Sequence, residues 1–148
     1  MGRIGTNLKP HRMQRWLPVF LISVVAGCTD ESGPDPFVTT RVTGRIRAGS
    51  QYLDHGWVEF LPIDGAVGPM ASGEIGADGR FVIERVPVGL TAVGILGARI
   101  SRDHSRLFDS LRTPIRRTIL AGQTQPIEID LVEEVYLYQS AQKAASSR

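Results

Sequence analysis

Short alternations of apolar and polar residues dominate the chain from residue 38 onward, and they predict strands. Val42, Gly44 and Ile46 alternate with polar residues, which is the period of a half-buried strand. Turns rich in Gly, Pro and Asp separate such runs about every ten residues, a spacing typical of an all-β sandwich. Seven strands are predicted, over residues 42–46, 57–61, 71–75, 81–83, 90–96, 118–120 and 126–132.

The same alternation predicts which side chains form the core. Val58 and Phe60 point to one face of their strand and Glu59 to the other, so Trp57 points outward with Glu59. Phe60 and Phe81 are the large aromatic anchors of the predicted core. In the last strand, the predicted inward residues are Ile127, Ile129 and Leu131, and the predicted outward residues are Glu128 and Asp130.

Two turn sequences predict hairpins. Asp78-Gly79 lies between two β-type runs, which is the strongest short hairpin signal. Ala121-Gly122-Gln123 predicts a second hairpin that joins the last two strands.

Two segments do not fit the strand pattern. We predict a long loop with one helical turn over residues 98–113, and loops of this length are usually functional or mobile. Over residues 133–148 the sequence predicts a frayed helix or a tail.

The N-terminal segment has the pattern of a secretory signal peptide. Basic residues precede an apolar run over residues 16–27, which at 12 residues is shorter than the roughly 20 of a membrane-spanning helix. Val25-Ala26-Gly27-Cys28 resembles the lipobox of bacterial lipoproteins, and this resemblance implies cleavage before Cys28 and acylation of its thiol. Two or three acyl chains hold a protein stably on a membrane.

These patterns divide the chain into four parts. Residues 1–27 form the removed signal peptide, 28–37 a flexible tether, 38–132 the β-sandwich and 133–148 the tail. The predicted location is the bacterial cell envelope, anchored by lipid and facing the periplasm or the surface. Thr29 stands where some bacteria use Asp as an inner-membrane retention signal, so the outer membrane is favoured.

Removal of the signal peptide reverses the charge of the protein. Four of the 17 basic residues leave with it, so 13 remain against 15 acidic residues and the net charge becomes −2 instead of +2. A mature domain with this balance does not favour nucleic acid as a partner. Because Cys28 is the one cysteine, its acylation leaves no thiol for a disulfide within the chain.

The order of motifs resembles a carboxypeptidase regulatory-like domain over residues 38–132. The matching segments are Val42-Thr-Gly-Arg-Ile46, Val58-Glu-Phe-Leu-Pro62, Asp78-Gly-Arg-Phe81 and Val86-Pro-Val-Gly89. The chain departs from the family at Gly76, where Asp is common, and at Leu90, near the usual aromatic position. The resemblance implies a transthyretin-like Greek-key sandwich of about seven strands, similar to small envelope lipoproteins of planctomycete-type bacteria. It also implies accessory or adhesive roles without a metal site.

The residues that could carry catalysis lack the spacing that catalysis requires. Asp54-His55 and Asp103-His104 pair an acid with a histidine, but the chain has no His-x-x-x-His motif and no second cysteine. No serine lies in a Gly-x-Ser-x-Gly motif. The sequence therefore predicts loop histidines, no enzyme activity, no metal and no cofactor.

A binding role is the remaining prediction. The candidate interaction residues are Trp57, Arg99, Arg102, Arg106 and Arg112. Arginines bind anionic groups, and an exposed aromatic marks an interface or a sugar platform. For the arginines, a solvated loop with local pairing to Asp103 and Asp109 is the favoured alternative. The first hypothesis is a protein-interaction or scaffold module with an envelope protein as partner. The alternatives are a carbohydrate- or surface-polymer-binding module and an accessory subunit of an envelope enzyme.

Overall fold

The computed structural model describes residues 37–147, apart from the side chains of Arg102 and Asp103. The predicted signal peptide, Cys28 and the tether up to residue 36 lie outside the described residues. The elements, in chain order, are β1 (Thr39–Ala48), β2 (Gln51–Tyr52), β3 (Trp57–Pro62), β4 (Ala71–Glu74), β5 (Arg80–Pro87), β6 (Gly89–Leu96), α1 (Arg102–Ser105), β7 (Arg116–Ile119), β8 (Ile127–Asp130) and α2 (Leu131–Ser146).

The strands form two four-stranded sheets. In the first sheet, β1 pairs with β5 and β2, both antiparallel, and with β8 in parallel. β5 and β2 lie on the same side of β1, because the Ile46 N–H donates to the Gly79 carbonyl (2.9 Å) and the Ile46 carbonyl accepts from the Leu53 N–H (3.1 Å). The second sheet is antiparallel, in the order β4-β3-β6-β7. The predicted all-β sandwich is confirmed, and the two-residue β2 is the strand that the sequence pattern missed.

The core lies between the two sheets. The residues predicted to point inward from the alternation of apolar and polar positions are buried there. Phe60 of β3 and Phe81 of β5 meet with ring centroids 6.0 Å apart. Ile127, Ile129 and Leu131 are buried as expected from their period of two. Further buried core residues are Val42, Ile46, Val58, Ile83, Val86, Val93, Ile95, Ile115 and Ile119.

Gly44 allows this packing on β1. A Cβ at this position would lie 2.4 Å from the Phe81 ring and 2.4 Å from the Ile127 carbonyl oxygen. Both distances are shorter than carbon contacts allow, so any side chain would displace the aromatic ring or the β8 backbone. The bare backbone of Gly44 therefore sets how closely β8 and Phe81 approach β1.

Both predicted hairpins are wrong in their strand pairing, although the turns are present. At Asp78-Gly79 the chain turns tightly, with the Gly79 N–H donating to the Gly76 carbonyl (2.9 Å) and Gly79 at a φ of 79°. The strands on either side then pair in different sheets, β4 with β3 and β5 with β1. β7 and β8 likewise pair with β6 and β1. A turn sequence specifies a reversal of the chain, whereas the burial of apolar faces selects the partner strand.

The last strand ends earlier than predicted, because a helix begins at Leu131. The Asp130 carboxylate accepts the Val132 N–H (3.0 Å), as an N-cap does, and Glu133 and Glu134 lie near the positive end of the helix dipole. α2 therefore occupies most of the segment predicted as a frayed helix or a tail. Within residues 37–147, no helix has both the length and the apolar character needed to cross a membrane.

We expect Phe60→Ala to lower the free energy of unfolding by about 3–5 kcal/mol, because it opens a cavity between the sheets. Urea titration followed by circular dichroism measures this change. Val82→Ala is the control, since Val82 lies on β5 but is exposed, and it should change stability by less than about 0.5 kcal/mol. Equal effects of the two substitutions would contradict the assigned core.

Candidate functional site

The segment between β6 and β7 covers the edge of the second sheet. The Val93 N–H donates to the Ile115 carbonyl (3.0 Å), and the Ile95 N–H donates to the Phe108 carbonyl (2.8 Å). Phe108 and Ile115 are both buried. The segment contains the predicted helical turn as α1. It is only partly a solvated loop, because Phe108, Ser110, Thr113 and Ile115 are buried while Leu111 and Arg112 are exposed.

The segment also crosses the outer face of this sheet at one point. Ser110 lies over Gly94, where a Cβ would come within 2.8 Å of the Ser110 Cα. The Ser110 hydroxyl donates to the carboxylate of Glu59, on the neighbouring strand β3. A glycine on β6 thus admits the close approach, and an outward carboxylate holds the crossing segment in place.

The arginines of this region have different environments. Arg116 donates to the backbone carbonyls of Thr113 and Ile115, and Arg117 pairs with Glu134 of α2, so both support the fold. Arg99 has a side chain that is 83% exposed and lies 3.9 Å from an Asp54 carboxylate oxygen. The side chain of Arg102 is outside the described part of the structure.

Arg106 and Arg112 line one shallow hollow together. The other lining residues are Ser105, Asp109 and Leu111. Asp109 shapes the turn here, because its carboxylate accepts the Leu111 N–H (3.1 Å) and its carbonyl accepts the Arg112 N–H (2.8 Å). The fold therefore brings together two of the four predicted arginines.

Trp57 lies at the start of β3 on the outer face of the second sheet, and it is 50% exposed. Its cross-strand neighbours are Glu74 on β4 and Leu96 on β6. It is not among the residues that line the hollow with Arg106 and Arg112. Trp57 is therefore a second, separate feature of the surface.

The two acid–histidine pairs lie in connecting segments. His55 hydrogen-bonds to Asp54, and this bond is the main reason why the pKa of the Asp54 carboxyl lies below its usual value. His104 Nδ1 lies 2.8 Å from the Ser101 hydroxyl, across the first turn of α1. Among the residues that the structure describes, no group of three or more His, Cys, Asp or Glu side chains is arranged to hold a metal ion.

A groove that the sequence analysis missed lies between this segment and the first turn of α2. Its volume is about 300 Å³, and most of its lining is apolar. The lining residues are Ala48, Arg99, Ile100, Ser101, His104, Phe108, Leu131, Val132 and Val135. The sequence does contain a signal for the helix that forms one wall of the groove. Asp130 followed three residues later by Glu133 is typical of a helix N-terminus.

Asp130 holds this end of the sandwich together. Its carboxylate accepts the N–H groups of Gly49 (3.1 Å) and Val132 (3.0 Å), and it pairs with Arg47 (3.1 Å). Burial of the carboxyl would raise its pKa, but these hydrogen bonds and the Arg47 charge outweigh burial, so the pKa lies below its usual value. One side chain therefore joins the β1–β2 turn, the end of β8 and the start of α2.

Comparisons with protein-family models, with curated proteins and with solved structures give no match to this chain. The fold places it in the broad class of β-sandwich proteins. The described surface offers the arginine hollow, the exposed Trp57, the groove beside α2 and the exposed Tyr136 and Leu137 of α2.

We expect Asp130→Ala to destabilise the protein by about 1–2 kcal/mol at neutral pH, since it removes a helix cap and an ion pair. A carboxylate whose pKa is lowered by folding contributes stability above its unfolded pKa of about 4, and that contribution is lost as the pH falls through the folded value. Chemical denaturation at pH 7 and at pH 2–3 should therefore show the difference from the wild type shrinking in acid. A difference independent of pH would contradict the role of the charge.

Proposed function

We propose that this protein is a non-catalytic lipoprotein of the bacterial cell envelope whose sandwich binds another envelope protein. The N-terminal pattern supports the lipid anchor, since Cys28 follows a basic and then apolar segment and precedes a polar tether. The resemblance to regulatory-like domains supports an accessory role for the sandwich. A lipid anchor at Cys28 would keep such a partner near the membrane.

The observation that carries the binding proposal is the surface of α2. Tyr136 and Leu137 are adjacent and expose 69% and 53% of their surface. Tyrosines and large apolar side chains with this exposure are common at the centres of protein interfaces. Their solvent contact is unfavourable in the isolated domain, so covering them with a partner is favourable.

The base of α2 is held firmly enough to present these side chains. Asp130 caps its first turn, and Leu131 is buried in the core. Arg117 of β7 pairs with Glu134, one turn further along, and the Glu134 side chain is only 13% exposed. A helix fixed at one end presents its exposed residues with a smaller loss of conformational entropy on binding than a free segment would incur.

We expect Cys28→Ala to release the protein from the membrane fraction, because the residue that would carry the acyl chains is removed. Fractionation of cells by ultracentrifugation, followed by immunoblotting, measures this change. Ser32→Ala is the control, since it alters the tether and leaves the thiol in place. Continued recovery of the Cys28→Ala variant in membranes would refute the lipid anchor.

We expect a photo-crosslinking residue at position 136 to capture one discrete protein in the native envelope. The same residue at Val67, an exposed apolar position in the β3–β4 connection, is the control and should capture none. Leu137→Asp should weaken the captured interaction about tenfold, because it places a charge in an apolar contact. Leu120→Asp, also on an exposed leucine, should leave the interaction unchanged. Identical adducts from positions 136 and 67 would contradict the proposed surface.

Surface-polymer binding is the second candidate function, and the exposure of Trp57 favours it. Leu96 lies opposite Trp57 on the neighbouring strand and is also exposed, so a sugar ring stacked on the Trp57 indole would have a second apolar side chain nearby. Loss of retention on cell-wall polymers in Trp57→Ala, with folding intact, would support this candidate. Unchanged retention would leave the protein partner as the proposal.

A further inference from the structure

The groove beside α2 has an apolar floor and apolar walls. Phe108 and Leu131 form the floor and are almost fully buried, with 1% and 3% of their surface exposed. Ile100, Val132 and Val135 form the walls, and Val132 is 59% exposed. An apolar guest would therefore remove surface of both the guest and the walls from water, which is the main driving force for binding in such sites.

The described polar side chains that line the groove, Arg99, Ser101 and His104, are cationic or hydrogen-bonding. Among the described side chains, which do not include that of Asp103, no carboxylate lines the groove. The Arg99 guanidinium is largely exposed and forms a long ion pair with Asp54, 3.9 Å from its carboxylate oxygen. Such an exposed pair is weak, so a ligand carboxylate can compete with Asp54 for Arg99. Asp54 already hydrogen-bonds to His55. His104 also lines the groove, and its Nδ1 lies 2.8 Å from the Ser101 hydroxyl.

We propose that this groove binds a small amphipathic carboxylate, of the medium-chain fatty-acid type. The apolar chain would lie on Phe108 and Leu131, and the carboxylate would meet Arg99 at the rim. An anion held at the rim keeps part of its hydration, so the free-energy cost of desolvating its charge is smaller than in a closed cavity. The volume of about 300 Å³ is at the small end of ligand sites, and this favours a short chain.

This binding does not depend on the proposed protein partner. The partner surface uses Tyr136 and Leu137, which are not among the residues that line the groove. A failure of one proposal therefore leaves the other standing, and the two experiments observe different residues.

The test compares sodium octanoate with 1-octanol, which share a chain and differ in charge. Each is titrated into the full chain carrying Cys28→Ser, which cannot be acylated, and backbone amide shifts are followed by NMR. We expect saturable shifts at Ile100, Phe108 and Val135, with octanoate bound about two- to fivefold more tightly than octanol, the range of an exposed ion pair. Arg99→Gln should remove this preference and leave octanol binding unchanged.

Val132→Asp tests the wall of the groove. It should weaken octanoate binding more than tenfold, through the loss of apolar contact and the repulsion of the ligand's charge, while an acid in the first turn of α2 is compatible with the helix. Val67→Asp is the matched control on an exposed valine outside the groove, and it should bind octanoate like the wild type. Shifts that do not saturate, equal affinity for octanol and octanoate, or full binding by Val132→Asp would each overturn the proposal.

Discussion

The pairing of β1 with three other strands is the constraint on which the rest of the first sheet depends. β5 and β2 pair along one edge of β1 and β8 along the other, so β1 lies at the centre of that sheet. Gly44 makes this arrangement possible, because any Cβ there would overlap the Phe81 ring and the Ile127 carbonyl. The aromatic contact between Phe81 and Phe60 then joins the first sheet to the second. A single residue without a side chain thus controls both the pairing within one sheet and the packing between the two.

Charged side chains hold together the end of the sandwich that carries α2. Asp130 accepts hydrogen bonds from the turn after β1 and from the first turn of α2, and it pairs with Arg47. Arg117 and Glu134 add a contact between β7 and α2, so the helix is tied to both sheets. These contacts separate α2 into a fixed first turn and an exposed remainder. The fixed turn forms one wall of a groove, and the exposed remainder carries the apolar side chains that the proposed partner would cover.

The arginines of the stretch 99–117 have two kinds of environment: some bind groups of the fold and others face solvent. Arg116 and Arg117 bind backbone carbonyls and a carboxylate of the fold, whereas Arg106 and Arg112 face solvent around a shallow hollow. The segment itself continues the sheet by hydrogen-bonding to β6, and this pairing positions the exposed arginines. The exposed Arg106 and Arg112 therefore flank Phe108 and Ile115, which are buried and hydrogen-bonded to β6.

The sequence by itself determined the approximate positions of seven strands and, for β1, β3 and β8, the face that each buries, because a period of two is a local property of the backbone. It also marked the turn at Gly79, and it indicated that Trp57 points outward. Only the tertiary structure decided which strands pair, since the turns at Gly79 and Gly122 lead into different sheets. The start of α2 was not predicted, because the alternation of Ile127, Ile129 and Leu131 continues past the last strand into the helix. The groove could not be predicted, because Phe108 and Leu131 are distant in sequence and meet only when burial of both brings the segment before β7 against α2.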